Sequence, residues 1–127
     1  MITKEVTLCG KQVILAYCYA TEISYKILSD EDITDFIGEV IIAVQNKERM
    51  PDIRKSMYLI LAAMQAYYDS KDDKSPVTDK NMMYDATSEE IGMALGTIIG
   101  LRAEFYHIPS GEPEDKPKEG DKDEKNA

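Results

Sequence analysis

The opening stretch, residues 1–26, constrains the fold more than any other part of this 127-residue chain. Ile2, Val6 and Leu8 alternate with Thr3, Glu5, Thr7 and Cys9, the period-two pattern of a strand with one buried face. Gly10-Lys11 interrupts the run, and Val13, Leu15 and Tyr17 then alternate again. With Gly10 and Lys11 at the two central positions, a type II′ turn pairs Leu8 with Val13 and Val6 with Leu15. The hairpin then spans residues 2–18. An isolated hairpin is marginal in water, so its apolar face needs a cover. The rest of the chain offers only helices to provide one.

Thr21 is placed to cap a short helix over 21–28, with Ile23 and Ile27 on one face. Ser29-Asp30-Glu31-Asp32 breaks it and supplies caps and first-turn carboxylates for the next helix, over 32–46. There Ile33, Phe36, Ile37, Val40, Ile41 and Val44 recur at helical spacing. Asn46-Lys47-Glu48-Arg49 ends that helix. Pro51 suits the first turn of a third, over 51–68, where its missing amide costs little. Ile53, Met57, Ile60, Met64 and Tyr67 form its inner stripe. Leu59, Leu61, Ala62, Ala63 and Ala66 make it apolar almost all round, which marks the central helix of a bundle.

Residues 69–80 have turn chemistry and no apolar period. Thr78 or Asp79 caps a single helical turn at residues 81–84. Thr87 and Glu90 then have the spacing of a capping box and open a last helix over 88–107. Its apolar positions are Ile91, Ala94, Leu95, Ile98, Leu101 and Phe105, and Pro109 and Gly111 stop it. Residues 110–127 hold seven acidic and four basic side chains and nothing apolar larger than alanine, the composition of a disordered tail. The expectation is an α+β, mainly α, single domain over 1–109: a β-hairpin packed on a bundle of about four helices, followed by that acidic tail.

The net charge of −9, of which −6 lies outside the tail, disfavours nucleic acid, whose phosphates need a basic face. It equally disfavours an anionic membrane. No window approaches the length of a membrane span, and the start lacks the basic-then-apolar order of a signal peptide, so the cytoplasm is the expected compartment. Cys9 and Cys18 lie toward opposite ends of the proposed ladder and read as free thiols. His107, the only histidine, sits at a helix end with no nucleophile or orienting acid at a suggestive spacing. Asp30, Asp32 and Asp35 read as capping and solvated carboxylates, and Asp69, Asp72 and Asp73 fall in a lysine-rich loop without glycine. No catalytic residue, metal site or cofactor is expected.

Two patterns remain. Gly92, Gly96 and Gly100 recur every four residues and form one stripe. Each costs a helix roughly 1 kcal/mol relative to alanine, so close approach by a neighbouring element is the expected compensation. A self-association or partner face is the alternative. Seven methionines and eight tyrosines are the second bias, since flexible thioethers and amphipathic rings suit adaptable contacts. Met82-Met83-Tyr84, in a polar connection, is the candidate exposed contact.

The wording of the opening carries a resemblance. Val6-Thr-Leu-Cys-Gly-Lys-Gln-Val-Ile-Leu, then Tyr19-Ala-Thr-Glu-Ile-Ser-Tyr-Lys and Asp32-Ile-Thr-Asp-Phe, resembles the small tail assembly chaperones of long-tailed bacteriophages and prophages. Arg54-Lys-Ser-Met-Tyr-Leu-Ile-Leu-Ala-Ala-Met resembles that family's middle helix, and the likeness covers roughly residues 3–68. It implies transient binding of the apolar, helical tape measure protein and recruitment of tail tube subunits in the host bacterial cytoplasm. It also implies absence from the finished particle. A different class of function, an acidic adaptor that blocks a basic site on another protein, is the competing expectation, and an enzyme comes last.

Overall fold

The structure is a computed structural model that describes residues 1–46 and 51–108. It is α+β and mainly α: strands β1 (Ile2–Leu8) and β2 (Lys11–Tyr17) form an antiparallel hairpin. Helices α1 (Tyr19–Ser29), α2 (Ile33–Asn46), α3 (Ile53–Ser70), α4 (Asp79–Asp85) and α5 (Ser88–Phe105) follow. The expectations for residues 47–49 and for the acidic tail fall outside the described residues.

The hairpin turns one position earlier than the sequence suggests. Cys9 and Gly10 are the central residues, with φ of 55° and 74°, so the turn is of type I′. Leu8 pairs with Lys11 and Val6 with Val13. A type I′ turn twists with the strands, and here its amides are also held from outside the hairpin. The carboxylate of Glu90 does this, because Oε1 accepts the Cys9 N–H at 3.0 Å and Oε2 the Gly10 N–H at 3.1 Å. The register differs from the expected one by two residues in total, so every side chain keeps its face. Val13, Leu15 and Tyr17 are buried as the alternation requires.

Helix α1 follows β2 without a loop and begins ahead of its expected start. Thr21 is not its cap but its third residue: Oγ1 accepts the Cys18 N–H at 3.2 Å and donates to the Ala16 carbonyl at 2.8 Å. That tie sets the rotation of the helix and buries Thr21 and Tyr25. Ile23 and Ile27, which share the opposite face, are therefore 60 % and 76 % exposed. Tyr25 tolerates burial because its hydroxyl donates to Glu31 Oε1 at 2.9 Å and its ring stacks on Phe36 at 5.9 Å. Lys55 reaches Glu31 at 3.2 Å and Glu39 at 3.5 Å, linking the α1–α2 corner to α3. Asp30, at φ 59°, forms the left-handed end of α1.

Ile33, Phe36, Ile37 and Val40 of α2 are buried, whereas Ile41 and Val44 are exposed because α2 runs beyond the body it packs on. Helix α3 is central, as expected, and packs against α1, β2 and α5. Asp52 rather than Pro51 opens it, with Oδ1 accepting the Lys55 N–H at 3.0 Å. Its buried face runs through Ser56, Leu59, Ile60, Ala63, Met64 and Ala66, while Ile53 of the expected stripe is exposed. Small Ala62, Ala63 and Ala66 allow close packing on several sides.

Helices α3 and α5 end alike. Asp73 N–H donates to the Tyr68 carbonyl and Ile108 N–H to the Ala103 carbonyl, each across a left-handed residue, Asp72 at φ 53° and His107 at φ 57°. These are Schellman closures. The left-handed backbone of His107 thus turns the chain after Phe105, before Pro109 and Gly111 are reached. The capping box that starts α5 forms as expected, with Thr87 Oγ1 accepting the Glu90 N–H at 3.1 Å. One continuous cluster of buried residues draws on both strands and all five helices, from Leu8 and Tyr17 to Met82 and Leu101.

Candidate binding surfaces

Glu90 is the pivot between hairpin and helix. Besides the two turn amides it accepts the Thr87 N–H through Oε1 at 3.0 Å. Amide donors from Thr87, Gly10 and Cys9 hold its carboxyl below the ordinary glutamate range, against a smaller opposing effect of burial. A lowered folded-state value means that the contribution is complete above the unfolded glutamate range and is lost as pH falls through the folded value. Glu90→Gln is expected to lower the melting temperature at neutral pH, with the gap from the native chain closing below about pH 4. Parallel thermal melts from neutral pH down through the glutamate range follow the gap and measure the effect. A gap independent of pH would remove the charge from the account.

Cys9 shows no sign of activation. Burial first, then the carboxylates of Glu90 and Asp85, push its thiol up, and its Sγ lies 3.5 Å from the Asn81 carbonyl. Cys9 and Cys18 are both free, one in the turn and one past the far end of β2. Among the described residues no group of three or more His, Cys, Asp or Glu side chains converges on a metal position.

A second polar node closes the open end of the hairpin. Glu22 Oε2 accepts the hydroxyls of Tyr17 at 2.7 Å and Tyr106 at 2.5 Å, while Phe105 packs edge-on to Tyr19 and tilted to Tyr17. Burial and the bond to Glu22 push Tyr17 up; for Tyr106 the same bond is the larger cause and lifts it to about 12. Arg102 lies over the Tyr106 ring at 5.5 Å. The node ties α1 to the end of α5. Nothing in the spacing of Tyr17, Glu22 and Tyr106 signals it, because the three residues meet only after folding.

The candidate contact Met82-Met83-Tyr84 divides. Met82 is 3 % exposed and belongs to the core, because the turn of α4 carries it inward. Met83 and Tyr84 are exposed, Tyr84 to 78 %. The glycine stripe also departs from its expected role: a Cβ on Gly92, Gly96 or Gly100 meets nothing within 4 Å. Among the described residues no element crosses there. The stripe faces solvent, and Gly96 and Gly100 border a groove of about 620 Å³ with Lys4, Met93, Thr97 and Ile108. A second groove of about 440 Å³ shares Lys4, Met93 and Thr97 and continues along Glu5, Val6 and Thr7 toward Glu89.

Two further apolar surfaces lie on helices. Ile23 and Ile27 stand out from α1, and Ile41, Ile42 and Val44 from the far half of α2. Helical spacing groups Ile23 with Ile27 and Ile41 with Val44 in the sequence; packing leaves all four outside and adds Ile42 beside them. No helix among the described residues is long and apolar enough to cross a membrane. No protein-family model, curated protein or solved structure matches the chain.

Proposed function

We propose that this protein acts by binding rather than by chemistry, as a tail assembly chaperone of a long-tailed phage or prophage. In this reading it holds the apolar, helical tape measure protein in solution, brings tail tube subunits to it and leaves before the particle is complete. The observation that carries the reading is the set of aliphatic side chains left outside the core among the described residues, Ile23 and Ile27 on α1 with Ile41, Ile42 and Val44 on α2. Exposed aliphatic rows on helices suit an amphipathic helical client. The acidic surface keeps such a chain soluble while it carries them.

Co-expression with a long, helical tape measure protein, sought among the products of neighbouring genes, is expected to move that client from the insoluble to the soluble fraction and to yield a complex on size-exclusion chromatography. Ile27→Lys with Ile42→Lys should abolish the effect while leaving the circular dichroism spectrum unchanged. No gain in client solubility with the native chain would end the reading. The alternative, an acidic adaptor occupying a basic site, draws on Glu5, Glu89 and Glu104, none of which forms an ion pair among the described residues. It predicts competition with DNA for a basic protein and a complex that dissolves as salt is raised.

A further inference from the structure

The register leaves one side of the hairpin open. Leu8 and Lys11 flank the two-residue turn as a hydrogen-bonded pair, so main-chain groups point outward at alternate residues: Thr3, Glu5 and Thr7 on β1, Gln12, Ile14 and Ala16 on β2. On β2 that row is engaged, because the Ile14 N–H donates to Tyr68 Oη at 3.1 Å and the Ala16 carbonyl accepts from Thr21. On β1, among the described residues, no hydrogen bond reaches the outward amides and carbonyls of Thr3, Glu5 and Thr7, and all three residues are exposed. An unpaired edge of this kind is a template for another strand.

What lies beside the edge is also unfilled. The groove along Glu5, Val6 and Thr7 runs on between Lys4 and the bare backbone of Gly96 and Gly100, with Met93 66 % exposed at its middle. Glycine there is required neither by a left-handed φ nor by a neighbouring atom, so the open space is what the glycines provide. Along its length Glu5, Glu89 and Glu104, without ion pairs among the described residues, outnumber Lys4.

We propose that the open edge of β1 docks an extended, basic segment of another protein, which adds as a third strand and lays small apolar side chains over Gly96 and Gly100. Charge selects this occupant. Two-fold antiparallel pairing with a second copy sets Glu5 opposite Glu5 or Lys4 opposite Lys4, and like charges directly opposite repel. A register centred on Val6 leaves only Glu5 and Thr7 to bond. The chain's own residues 110–127 are acidic, and Pro113 and Pro117 lack the amide a strand donates. The proposal stands apart from the chaperone reading, since the aliphatic rows of α1 and α2 are no part of this groove.

The probe is an alternating lysine–valine hexapeptide with blocked ends, added to the full-length protein, with amide hydrogen exchange followed by NMR. Exchange at Thr3, Glu5 and Thr7 is expected to slow at least tenfold at saturation while Ile14 stays unchanged. A glutamate–valine peptide should give no protection. Glu5→Pro removes one outward donor without touching the ladder to β2, and Gly96→Leu fills the facing wall; each should weaken binding at least tenfold. Circular dichroism checks the fold of both variants, and one folded variant with lost binding suffices. The proposal is overturned by absence of protection at millimolar peptide, by equal protection from the acidic peptide, or by full binding in both variants. It is equally overturned if these amides are already protected in the free protein: protection that fades on dilution assigns the edge to a second copy, and protection independent of concentration assigns it to the chain's own tail.

Discussion

Replacing Gly92, Gly96 and Gly100 together by alanine is expected to stabilise the protein by about 2–3 kcal/mol, since each glycine costs a helix interior roughly 1 kcal/mol relative to alanine. None of the three has a positive φ, and a Cβ at each enters open space, so nothing offsets the entropic gain. For a body of this size the melting temperature should rise by about ten degrees or more. Thermal or urea denaturation of the triple variant decides the matter, and a loss of stability would mean that something packs on the stripe after all. The same substitutions narrow the groove beside β1. A gain in stability with a loss of peptide affinity would be the usual exchange between robustness and a working surface.

Truncating Phe36 to alanine acts in the opposite direction, with an expected cost of about 3–5 kcal/mol. Phe36 is fully buried and stacks on Tyr25, and Ile33, Ile37 and Val40 are the other buried residues of α2. The far half of α2 buries nothing large, so the loss falls first on this helix. Hydrogen exchange should accelerate across residues 33–46 while the hairpin, α3 and α5 stay protected, and the near-ultraviolet signal of Tyr25 should fall. Uniform acceleration through the whole chain would instead show that α2 is one cooperative unit with the core. A detached α2 also carries Ile41, Ile42 and Val44 away from the body, so client solubilisation should decline in parallel.

Much of the architecture is legible from spacing alone. Alternation in 2–17 marks two strands, apolar rows at helical intervals mark the long helices, and Thr87 with Glu90 marks the start of α5. These signals are local, because each depends on neighbours a few residues apart. The departures share a cause: tertiary contacts outweigh local preference. Glu90, eighty residues from Gly10, holds the turn and so selects type I′. Thr21, bound to Ala16, turns α1 so that Tyr25 rather than Ile23 faces inward. Met82 lies in a polar stretch by sequence, yet α4 carries it into the core.

The candidate surfaces follow the same division. Glycine spacing and strand alternation point to Gly96, Gly100 and the hairpin edge separately, and no pattern in the chain joins them. Periodicity establishes which residues share a face of one helix or strand, since that geometry is set by backbone dihedrals within a few residues. Which of those faces meets the core, which meets solvent, and which two border one groove came only with tertiary packing. That choice rests on contacts between residues far apart in the chain, among them Glu90 with Gly10, Tyr68 with Ile14 and Tyr106 with Glu22.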